Sequence, residues 1–412
     1  MNSKQVQGKR KLEDYLKMVN RPCRVMIRNI PAPLQQFYFS GKLQNIVDGA
    51  SPGSKVKSMK PGSKKKETVP KKTKPKKYVP MKEPLLMKKH VSMQEESGDS
   101  ECCKGEIKVG DVFVGESKTK YKVVEVLNMA DFSEIWRVED ISTNKRFILK
   151  FVNIKLHKTL TETEIHILKK AQNSRKREEN YIVSLIDTCE AWKDRCPHSL
   201  LILEELGDSL LKIIQGARPR LDYVKQIVQE ILLGLDFLHT RCKYIHCDIK
   251  PENILLRQEY KGDRNQKMIK IIDVGISRKS RPSYRGEIQT REYRAPEVLT
   301  GELGRKYNLT EKVDIWSVGC VLFELITGEF LFKPKEDTDF DHRAEIEKVI
   351  GSFCGQSGSK TESLSVSQRI LRTSRLTCAE VFELHSFLKF VLVLDPAVRP
   401  SAKECLEHKF FM

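Results

Sequence analysis

Apolar and polar positions change their spacing along the chain, from strand-like in one part to helix-like in the next. From about residue 106, β-branched and aromatic runs such as YKVVEVL and RFILKFVNI are joined by short polar turns, which predicts antiparallel strands that end at Lys150. The helical segment TETEIHILKKAQ separates them from two further strands, YIVSLIDTCEAW and HSLLILEELG. After Gly207 the chain turns mainly helical to its end. We therefore predict an α+β protein with two lobes, over residues 106–204 and 207–412, and a crevice between them.

A helical apolar stripe precedes the stretch YIHCDIKPENIL, residues 244–255. The stripe follows three- and four-residue steps and consists of Val224, Ile227, Val228, Ile231, Leu235 and Leu238. The apolar run over residues 254–256 suits a short buried strand. Asp248, Lys250 and Asn253 are therefore expected on a tight loop between packed elements. Such a loop can hold polar groups rigidly for catalysis.

The first 105 residues contain a strongly basic stretch without an apolar period. Residues 51–90 hold 14 lysines and two glutamates, together with several prolines, so they cannot bury enough apolar surface to offset their conformational entropy. We predict a basic, largely disordered N-terminal arm over residues 1–105. Its lysine clusters, KPGSKKK and PKKTKPKK, suit a solvated linker, a nuclear-import signal or a contact with nucleic acid or acidic membrane, and the sequence leaves these open.

Composition limits where the protein is expected to work. The formal net charge is +19, and much of it comes from the arm. Eleven cysteines without the paired spacing of zinc sites favour reduced thiols over disulfides or a metal. We see no apolar stretch long enough to span a membrane and no apolar signal core in MNSKQVQGKRKLEDY. We therefore expect a cytoplasmic or nuclear protein, or one found in both compartments, with no membrane partner.

Charged and polar markers follow one another in an order that points to phosphoryl transfer. They are Lys150 of FILK, Glu164 on the next helix, Asp248 of HCDIKPEN, Asp273 of IIDVG, Glu297 of APE, Asp314 of DIWSVG and Arg399. This order resembles the signature of the protein kinases. One such motif alone would be weak evidence, but the whole set in the correct order leaves little room for chance. The resemblance implies the two-lobed protein-kinase fold, with residues 106–412 as the kinase domain.

The resemblance implies a nucleotide site that uses ATP and Mg²⁺. Lys150 would hold the α- and β-phosphates and would be oriented by Glu164, while Asn253 and Asp273 would bind two magnesium ions. Leu203 would line the back of the adenine pocket. Further ATP contacts would come from Leu127, Ile135, Glu204 and Leu206, of which the last two belong to the hinge.

The resemblance also implies catalytic roles on the loop. Asp248 would orient the substrate hydroxyl as the nucleophile, and Lys250 would reach the transferring phosphoryl group. A lysine at this place, with Thr290 in the later TRE segment, is typical of serine/threonine kinases rather than tyrosine kinases.

Longer stretches resemble the SR-protein kinases, which phosphorylate Arg-Ser-rich splicing factors. These stretches include EELGDSLLKIIQG, IVQEILLGLDFLHTRCKYIHCDIKPENIL and IQTREYRAPEVL, and the resemblance spans residues 117–411. Arg294 of YRAPE is typical of the wider group that contains the cyclin-dependent and splicing-factor kinases. The LAMMER kinases are the nearest rival group, but their name-giving motif, expected near residues 341–351, is absent. The implied activity is transfer of the ATP γ-phosphate to serine in Arg-Ser-rich proteins.

An acidic segment, KPKEDTDFDH, offers a place for arginine-rich substrates to dock. By the resemblance, the docking carboxylates would be Glu336, Asp337, Asp339 and Asp341. Arginine can pair with carboxylates through two bonds at once, so such a cluster can select arginine over lysine. The alternative is a solvated loop whose acids offset the neighbouring Lys333 and Lys335.

Several departures from the family pattern keep a second hypothesis open. Asn128 and Ala130 occupy two positions where kinases carry glycines that let backbone amides approach the phosphates. Cys247 replaces a usual threonine, and APE replaces a usual Ser-Leu-Glu. The chain could thus be a pseudokinase scaffold whose arm contacts nucleic acid. Retention of the whole polar set favours the active enzyme, because each buried charge destabilises the fold if it is unused.

Three further polar markers are expected to be structural rather than catalytic. Glu297 and Arg399 would form a buried ion pair, and Asp314 would anchor the loop beneath the catalytic segment.

Overall fold

The computed structural model of the protein describes residues 107–129, 133–173, 181–193, 196–216, 218–258, 260, 268–299, 306–336, 338–353 and 366–412. The basic arm over residues 1–105 lies outside these ranges, so its disorder stays a prediction.

Six antiparallel strands form the sheet of the first lobe. They are β1 Val112–Val114, β2 Lys120–Met129, β3 Ser133–Asp140, β4 Arg146–Asn153, β5 Leu185–Lys193 and β6 Cys196–Glu204. Their spatial order is β1-β2-β3-β4-β6-β5. Alternate side chains such as Val123, Val138 and Leu149 are fully buried on one face, as the two-residue period of a strand requires. The predicted strand-rich lobe is therefore confirmed.

Lys150 lies inside β4 and not at the end of its strand, so that detail of the prediction was wrong. The strand continues because Phe151 and Val152 still pair with β6, opposite Leu200 and Ser199. Helix α1, Ile154–Gln172, follows at once and includes the predicted helical segment. Its Ile167 and Leu168 are fully buried in the larger of the two hydrophobic cores.

Seven helices build the described part of the second lobe. Five are α3 Leu221–Asp236, α4 Lys312–Thr327, α5 Asp339–Phe353, α6 Val366–Thr373 and α7 Cys378–Val391, and two short ones are α2 Leu210–Gln215 and α8 Ala402–Leu406. The predicted apolar stripe is buried along α3. Nearly every residue of α4 is buried, which suits a helix that is apolar all round and lies at the centre of the lobe.

Short strands position the loops between these helices. Strand β7, Ile254–Leu256, pairs with β8, Ile269–Ile271, and β9, Arg281–Tyr284, pairs with β10, Tyr307–Leu309. The predicted short strand at residues 254–256 is thereby confirmed. Single helical turns occur at Phe237–Cys242, Pro251–Asn253, Arg291–Tyr293 and Lys409–Phe411. This topology places the HCDIKPEN loop just before β7 and Asp273 two residues after β8.

The expected ion pair between Glu297 and Arg399 is present. The guanidinium of Arg399 donates to both carboxylate oxygens of Glu297, at 2.7 and 2.9 Å, and Arg399 is almost fully buried. The same guanidinium lies 5.1 Å from the ring centre of Trp316 on α4. The pair links the APE segment to the C-terminal part of the lobe.

Within the described ranges, no helix is long and apolar enough to cross a membrane.

Candidate active site

Lys150, Glu164 and Asp273 meet in one cluster although they come from three different elements. The Nζ atom of Lys150 lies 2.8 and 2.9 Å from the two carboxylate oxygens of Glu164 and 3.0 Å from Oδ1 of Asp273. Strand β4 supplies the lysine, helix α1 the glutamate and the segment after β8 the aspartate. The structure thus brings together the three residues that the sequence assigned to phosphate and metal binding.

Electrostatics keep the Lys150 ammonium and the Asp273 carboxylate charged at neutral pH. Burial by itself lowers the pKa of the Lys150 ammonium, but the carboxylates of Asp273 and Glu164 outweigh it and raise that pKa above its ordinary value. The same ammonium lowers the pKa of Asp273. The Asp273 side chain remains 44% exposed, whereas that of Lys150 is only 11% exposed. A permanent cation therefore lies beside a carboxylate that an incoming ligand can reach.

The backbone around Asp273 is held in an uncommon conformation. Asp273 has a φ of +60°, in the left-handed region that non-glycine residues seldom adopt. At Gly275, an added Cβ would lie 2.9 Å from Oε2 of Glu164, so a larger residue there would push the ion pair apart. The glycine of IIDVG thus permits the close approach of this segment to helix α1.

Asp248 is the centre of a second polar cluster. Its Oδ1 accepts hydrogen bonds from the Thr290 hydroxyl at 2.6 Å and from the Thr290 amide at 3.2 Å. Its Oδ2 lies 2.9 Å from Nζ of Lys250 and accepts a bond from Nδ2 of Asn253 at 3.0 Å. Lys250 also donates to the Thr290 hydroxyl, at 3.0 Å. The carboxylate is thus oriented from both sides, next to a hydroxyl and an ammonium.

Asp314 anchors the loop that carries Asp248, as the sequence predicted. This fully buried carboxylate accepts hydrogen bonds from the amides of His246 and Cys247, at 2.8 and 2.9 Å, and a third from Nε2 of His239 at 2.8 Å. Cys247 has a φ of +69°, and the hydrogen bond that its backbone amide donates to Asp314 helps to hold that conformation. The Cys247 side chain is buried, and burial raises the pKa of its thiol.

Asn253 and Asp273 suit a hard cation. Nδ2 of Asn253 is engaged with the carboxylate and the carbonyl of Asp248, which leaves its amide oxygen as the ligand atom. The Asn253 carbonyl accepts from the amide of Ile272, the residue before Asp273, at 2.9 Å. A carboxylate and an amide oxygen held on neighbouring strand ends are donors that Mg²⁺ accepts.

The hinge residues lie at the end of β6. Leu203 is buried, Leu206 is half-buried, and the carboxylate of Glu204 accepts from the amide of Ser184 and pairs with the ammonium of Lys270, both at 2.6 Å. The Glu204 side chain is therefore committed to protein partners, and so is its amide, which donates to the Ser184 carbonyl at 3.1 Å.

The roof of the candidate nucleotide site is the β2–β3 hairpin. Ile135 pairs with Asn128 on one side and with Lys150 on the other. Leu127, next to Asn128, is 40% exposed. Asn128 lies in the paired part of β2, so the hairpin forms without a glycine at that position, while Ala130 lies outside the described residues.

The acidic segment at the start of α5 is only partly available for docking. Oδ2 of Asp341 accepts from the amides of Lys335 and Glu336, and these bonds lower the pKa of Asp341. Oδ1 of Asp339 lies 3.9 Å from the guanidinium of Arg294, while Glu336 is exposed. Asp337 lies outside the described residues. The docking role of all four acids stays a prediction.

Comparison with known proteins settles the family. A family model described as the protein kinase domain matches residues 121–411. The chain belongs to the protein kinase family. It is 28% identical to the serine/threonine-protein kinase SRPK of Physarum polycephalum, over 77% of this chain and 91% of the relative. It is 30% identical to the serine/threonine-protein kinase AFC2 of Arabidopsis thaliana, over 71% of this chain and 77% of the relative.

A third relative widens the comparison. The kinase is 28% identical to the dual specificity protein kinase lkh1 of Schizosaccharomyces pombe, over 71% of this chain and 47% of the relative. The protein is an ATP-dependent serine/threonine protein kinase that resembles the SR-protein kinases. These comparisons give no support to the pseudokinase hypothesis. All predicted nucleotide and catalytic positions of the kinase lie inside the matched range.

An acidic group that the sequence did not predict lies beside the catalytic cluster. Glu252 follows Lys250 by two residues, Glu292 follows Thr290 by two, and Glu324 lies on α4. Burial, together with the weaker effect of the carboxylates of Glu252 and Glu292, raises the pKa of Glu324 to about 7. Only the fold brings the three together, since each one alone looks like an ordinary helical or loop acid. The KPEN motif itself was the one available signal.

Proposed function

We propose that this kinase transfers the ATP γ-phosphate, with Mg²⁺, to serine in arginine-rich substrates of the Arg-Ser type. The observation that carries the proposal is the position of Glu252 and Glu292. These residues flank Lys250 and Thr290, which are hydrogen-bonded to one another at 3.0 Å. Negative charge therefore surrounds the point where a substrate hydroxyl would meet Asp248.

Asp248 accepts the hydrogen bond of the substrate hydroxyl in this proposal. The Thr290 hydroxyl at 2.6 Å shows that Oδ1 can take a hydroxyl donor at short range. Lys250, 2.9 Å from the same carboxylate, neutralises charge on the transferring group. Asn253 keeps the carboxylate from turning, because it holds the other oxygen.

Lys150 binds the α- and β-phosphates, and Glu164 keeps its ammonium in place. Asp273 and Asn253 would hold the metal through their oxygens. Mg²⁺ bound there would stabilise the negative charge that develops during phosphoryl transfer. Leu127, Ile135 and the hinge backbone of Glu204 and Leu206 would enclose the adenine.

Arginine recognition follows from the geometry of its guanidinium. The planar fork pairs with a carboxylate through two parallel bonds, which lysine cannot form. Glu252 is exposed and Glu292 half-exposed, so both can meet an arginine next to the phosphorylated serine. The acids at the start of α5, Glu336, Asp337, Asp339 and Asp341, would take arginines farther along a long substrate.

The lysine-rich arm is proposed as a contact for an import receptor or for nucleic acid, which would give the kinase access to the nucleus as well as the cytoplasm. Its 14 lysines between residues 51 and 90 support this. A reporter fused to that segment tests it: nuclear enrichment that is lost when the lysines become glutamines supports import, and uniform distribution contradicts it.

The decisive experiment compares three peptides in a radiolabelled ATP assay with magnesium. One carries Arg-Ser repeats, the second carries Lys in place of every Arg, and the third carries neither. We expect kcat/KM to fall by at least ~10-fold from the Arg to the Lys peptide, the scale of one lost bidentate contact. Glu252→Gln should reduce this preference. Equal rates on the Arg and Lys peptides would contradict the proposed substrate class. Such a result would not contradict the assignment as a kinase.

A further inference from the structure

The hinge between the two lobes carries an ion pair that the proposed function does not use. Nε of Arg137, on strand β3, lies 2.6 Å from Oε1 of Glu205, the residue between Glu204 and Leu206. The side chain of Glu205 is only 10% exposed, and that of Arg137 is 27% exposed. A second carboxylate, that of Glu125 on β2, also pairs with Arg137 but is 55% exposed, so solvent weakens that contact more. Glu205 is therefore the main partner of Arg137.

Arg137 belongs to a row of residues that crosses the sheet toward the hinge. Directly opposite residues of paired strands point to the same face of a sheet. Arg137 is opposite Ile148 on β4, and Ile148 is opposite Leu203 on β6, which is expected at the back of the adenine pocket. Two positions away on the same strands, Ile135 is opposite Lys150. Arg137 thus shares a face of the sheet with the residues assigned to the adenine and to the phosphates.

The neighbouring residue of the hinge is held from the other lobe. Glu204 pairs with Lys270 of β8 at 2.6 Å, and Lys270 lies three residues before Asp273. Two successive hinge residues are therefore each fixed by a cation. One cation comes from the sheet above the nucleotide site and the other from the segment that leads to the metal-binding aspartate. Arg137 thereby sets the distance between β3 and the hinge, which are the two walls proposed to enclose the adenine.

We propose that Arg137 is a positioning residue for ATP, which acts through Glu205 without touching the nucleotide itself. The inference rests on the nucleotide site proposed above. The ion pair holds the hinge at a fixed distance from Ile135, so that the adenine is bound in one orientation between them. Because Asn128 replaces a glycine in the hairpin, backbone amides stay farther from the phosphates, and binding depends more on the adenine end of ATP.

Adenosine and magnesium tripolyphosphate are the probes that test the proposal, because they separate the base end of ATP from its phosphate end. Their affinities for the full-length kinase are measured by competition against a fluorescent ATP analogue, beside that of a non-hydrolysable ATP analogue with magnesium. We expect Arg137→Met to weaken adenosine and the ATP analogue by about 5-fold each, the scale of a partly exposed ion pair. Tripolyphosphate binding should not change. A general loss of structure would instead weaken all three ligands.

Further variants test the partner and the charge. Arg137→Lys keeps the charge and should retain most of the affinity for adenosine. Glu205→Gln should weaken adenosine binding as much as Arg137→Met does, and the double variant should be little worse than either, because both changes remove the same contact. Arg146→Met is the matched control, since Arg146 of β4 pairs with Glu139 of β3 in the same sheet and is 60% exposed. It should leave all three affinities unchanged.

The outcomes separate this inference from the nucleotide site on which it rests. The inference is overturned if Arg137→Met and Glu205→Gln leave the affinity for adenosine unchanged, or if they weaken tripolyphosphate binding equally. Should Arg137→Met fail to fold by circular dichroism, Glu205→Gln and Arg137→Lys decide the matter. A parent protein that binds neither adenosine nor the ATP analogue would contradict the proposed nucleotide site itself.

Discussion

The hydroxyl of Tyr293 donates a 2.6 Å hydrogen bond to the carboxylate of Glu324, and both residues are almost fully buried. Burial and, less strongly, the charges of Glu252 and Glu292 raise the pKa of Glu324 to about 7, although the hydrogen bond from Tyr293 opposes them. Activity on arginine-rich substrates should therefore depend on the charge of a carboxylate that titrates near neutral pH.

The sign of this dependence follows from the raised pKa. Glu324 is mainly neutral at pH 6 and mainly charged at pH 8, so the acidic group attracts arginine more strongly as the pH rises. We expect KM for an Arg-Ser peptide to fall between pH 6 and pH 8, and Glu324→Gln to flatten that trend. The Arg-free peptide is the control. A parent profile that Glu324→Gln leaves unaltered would show that another group titrates.

Glu324 should also make the free energy of unfolding depend on pH, but here the favourable effect decreases as the pH rises. Because the folded state holds the Glu324 proton more tightly than the unfolded state, its stabilising effect is complete below pH 4.5 and is lost as the pH rises through 7. Glu324→Gln should make the free energy of unfolding less dependent on pH between 5 and 8. Urea titrations of both proteins measure this, and parallel pH profiles would contradict it.

The hairpin over the nucleotide lacks glycines at two positions. Asn128 pairs within β2, and its Cβ keeps backbone amides farther from the phosphates than glycine would. Asn128→Gly with Ala130→Gly should lower KM for ATP. Asn144→Gly, in an exposed turn of the same sheet, is the matched control. An ATP KM that does not move would mean that the hairpin holds the phosphates in another way.

The pair of Lys270 and Glu204 should stabilise the hinge. The Lys270 side chain is 4% exposed and lies 2.6 Å from the Glu204 carboxylate, so Lys270→Met removes the cation that pairs with it and leaves the Ser184 amide as a donor to that carboxylate. We expect the free energy of unfolding to drop by about 3 kcal/mol, the scale of a broken buried pair. The double variant with Glu204→Gln should recover part of this loss. Lys403→Met, on the exposed face of α8, is the control, and an equal loss there would argue against a special role of the pair.

Docking of long substrates should depend on the start of α5. Glu336→Gln with Asp339→Asn should raise KM for a long Arg-Ser protein more than for a short peptide, and more so at low salt. Asp341 is left intact in this test because it caps the backbone of residues 335 and 336. Glu347→Gln, farther along α5, is the control. Equal effects on the long and the short substrate would exclude docking at this surface.

Much of the catalytic site could be predicted from the sequence because its residues lie within short, recognisable sequence motifs. Asp248 and Asn253 lie in a short motif, and Lys150 ends the recognisable run FILK. Their contacts follow from the fold that the ordered motifs imply. The anchoring role of Asp314 was predictable for the same reason.

Other features depend on the three-dimensional structure and left no pattern in the sequence. Lys270 is a single lysine in the apolar run IKII, where it looks like the solvent-facing residue of a strand, yet it is buried against Glu204. The capping bonds of Asp341 depend on a turn of the backbone. The pKa of Glu324 depends on the burial of α4 on all sides. Such properties arise from packing between distant segments, which local patterns do not record.

In the proposed mechanism, Asp248 positions the substrate hydroxyl for attack on the γ-phosphate. Single-turnover transfer of the γ-phosphate to an Arg-Ser peptide measures this step, with ATP affinity determined in parallel. Asp248→Asn keeps the shape of the side chain but removes its charge, so we predict a fall of at least ~10²-fold in rate at unchanged ATP affinity. Asp395→Asn, which removes a charge far from the motif, should transfer phosphate as fast as the parent. If Asp248→Asn also keeps the parent rate, the role assigned to this carboxylate is wrong.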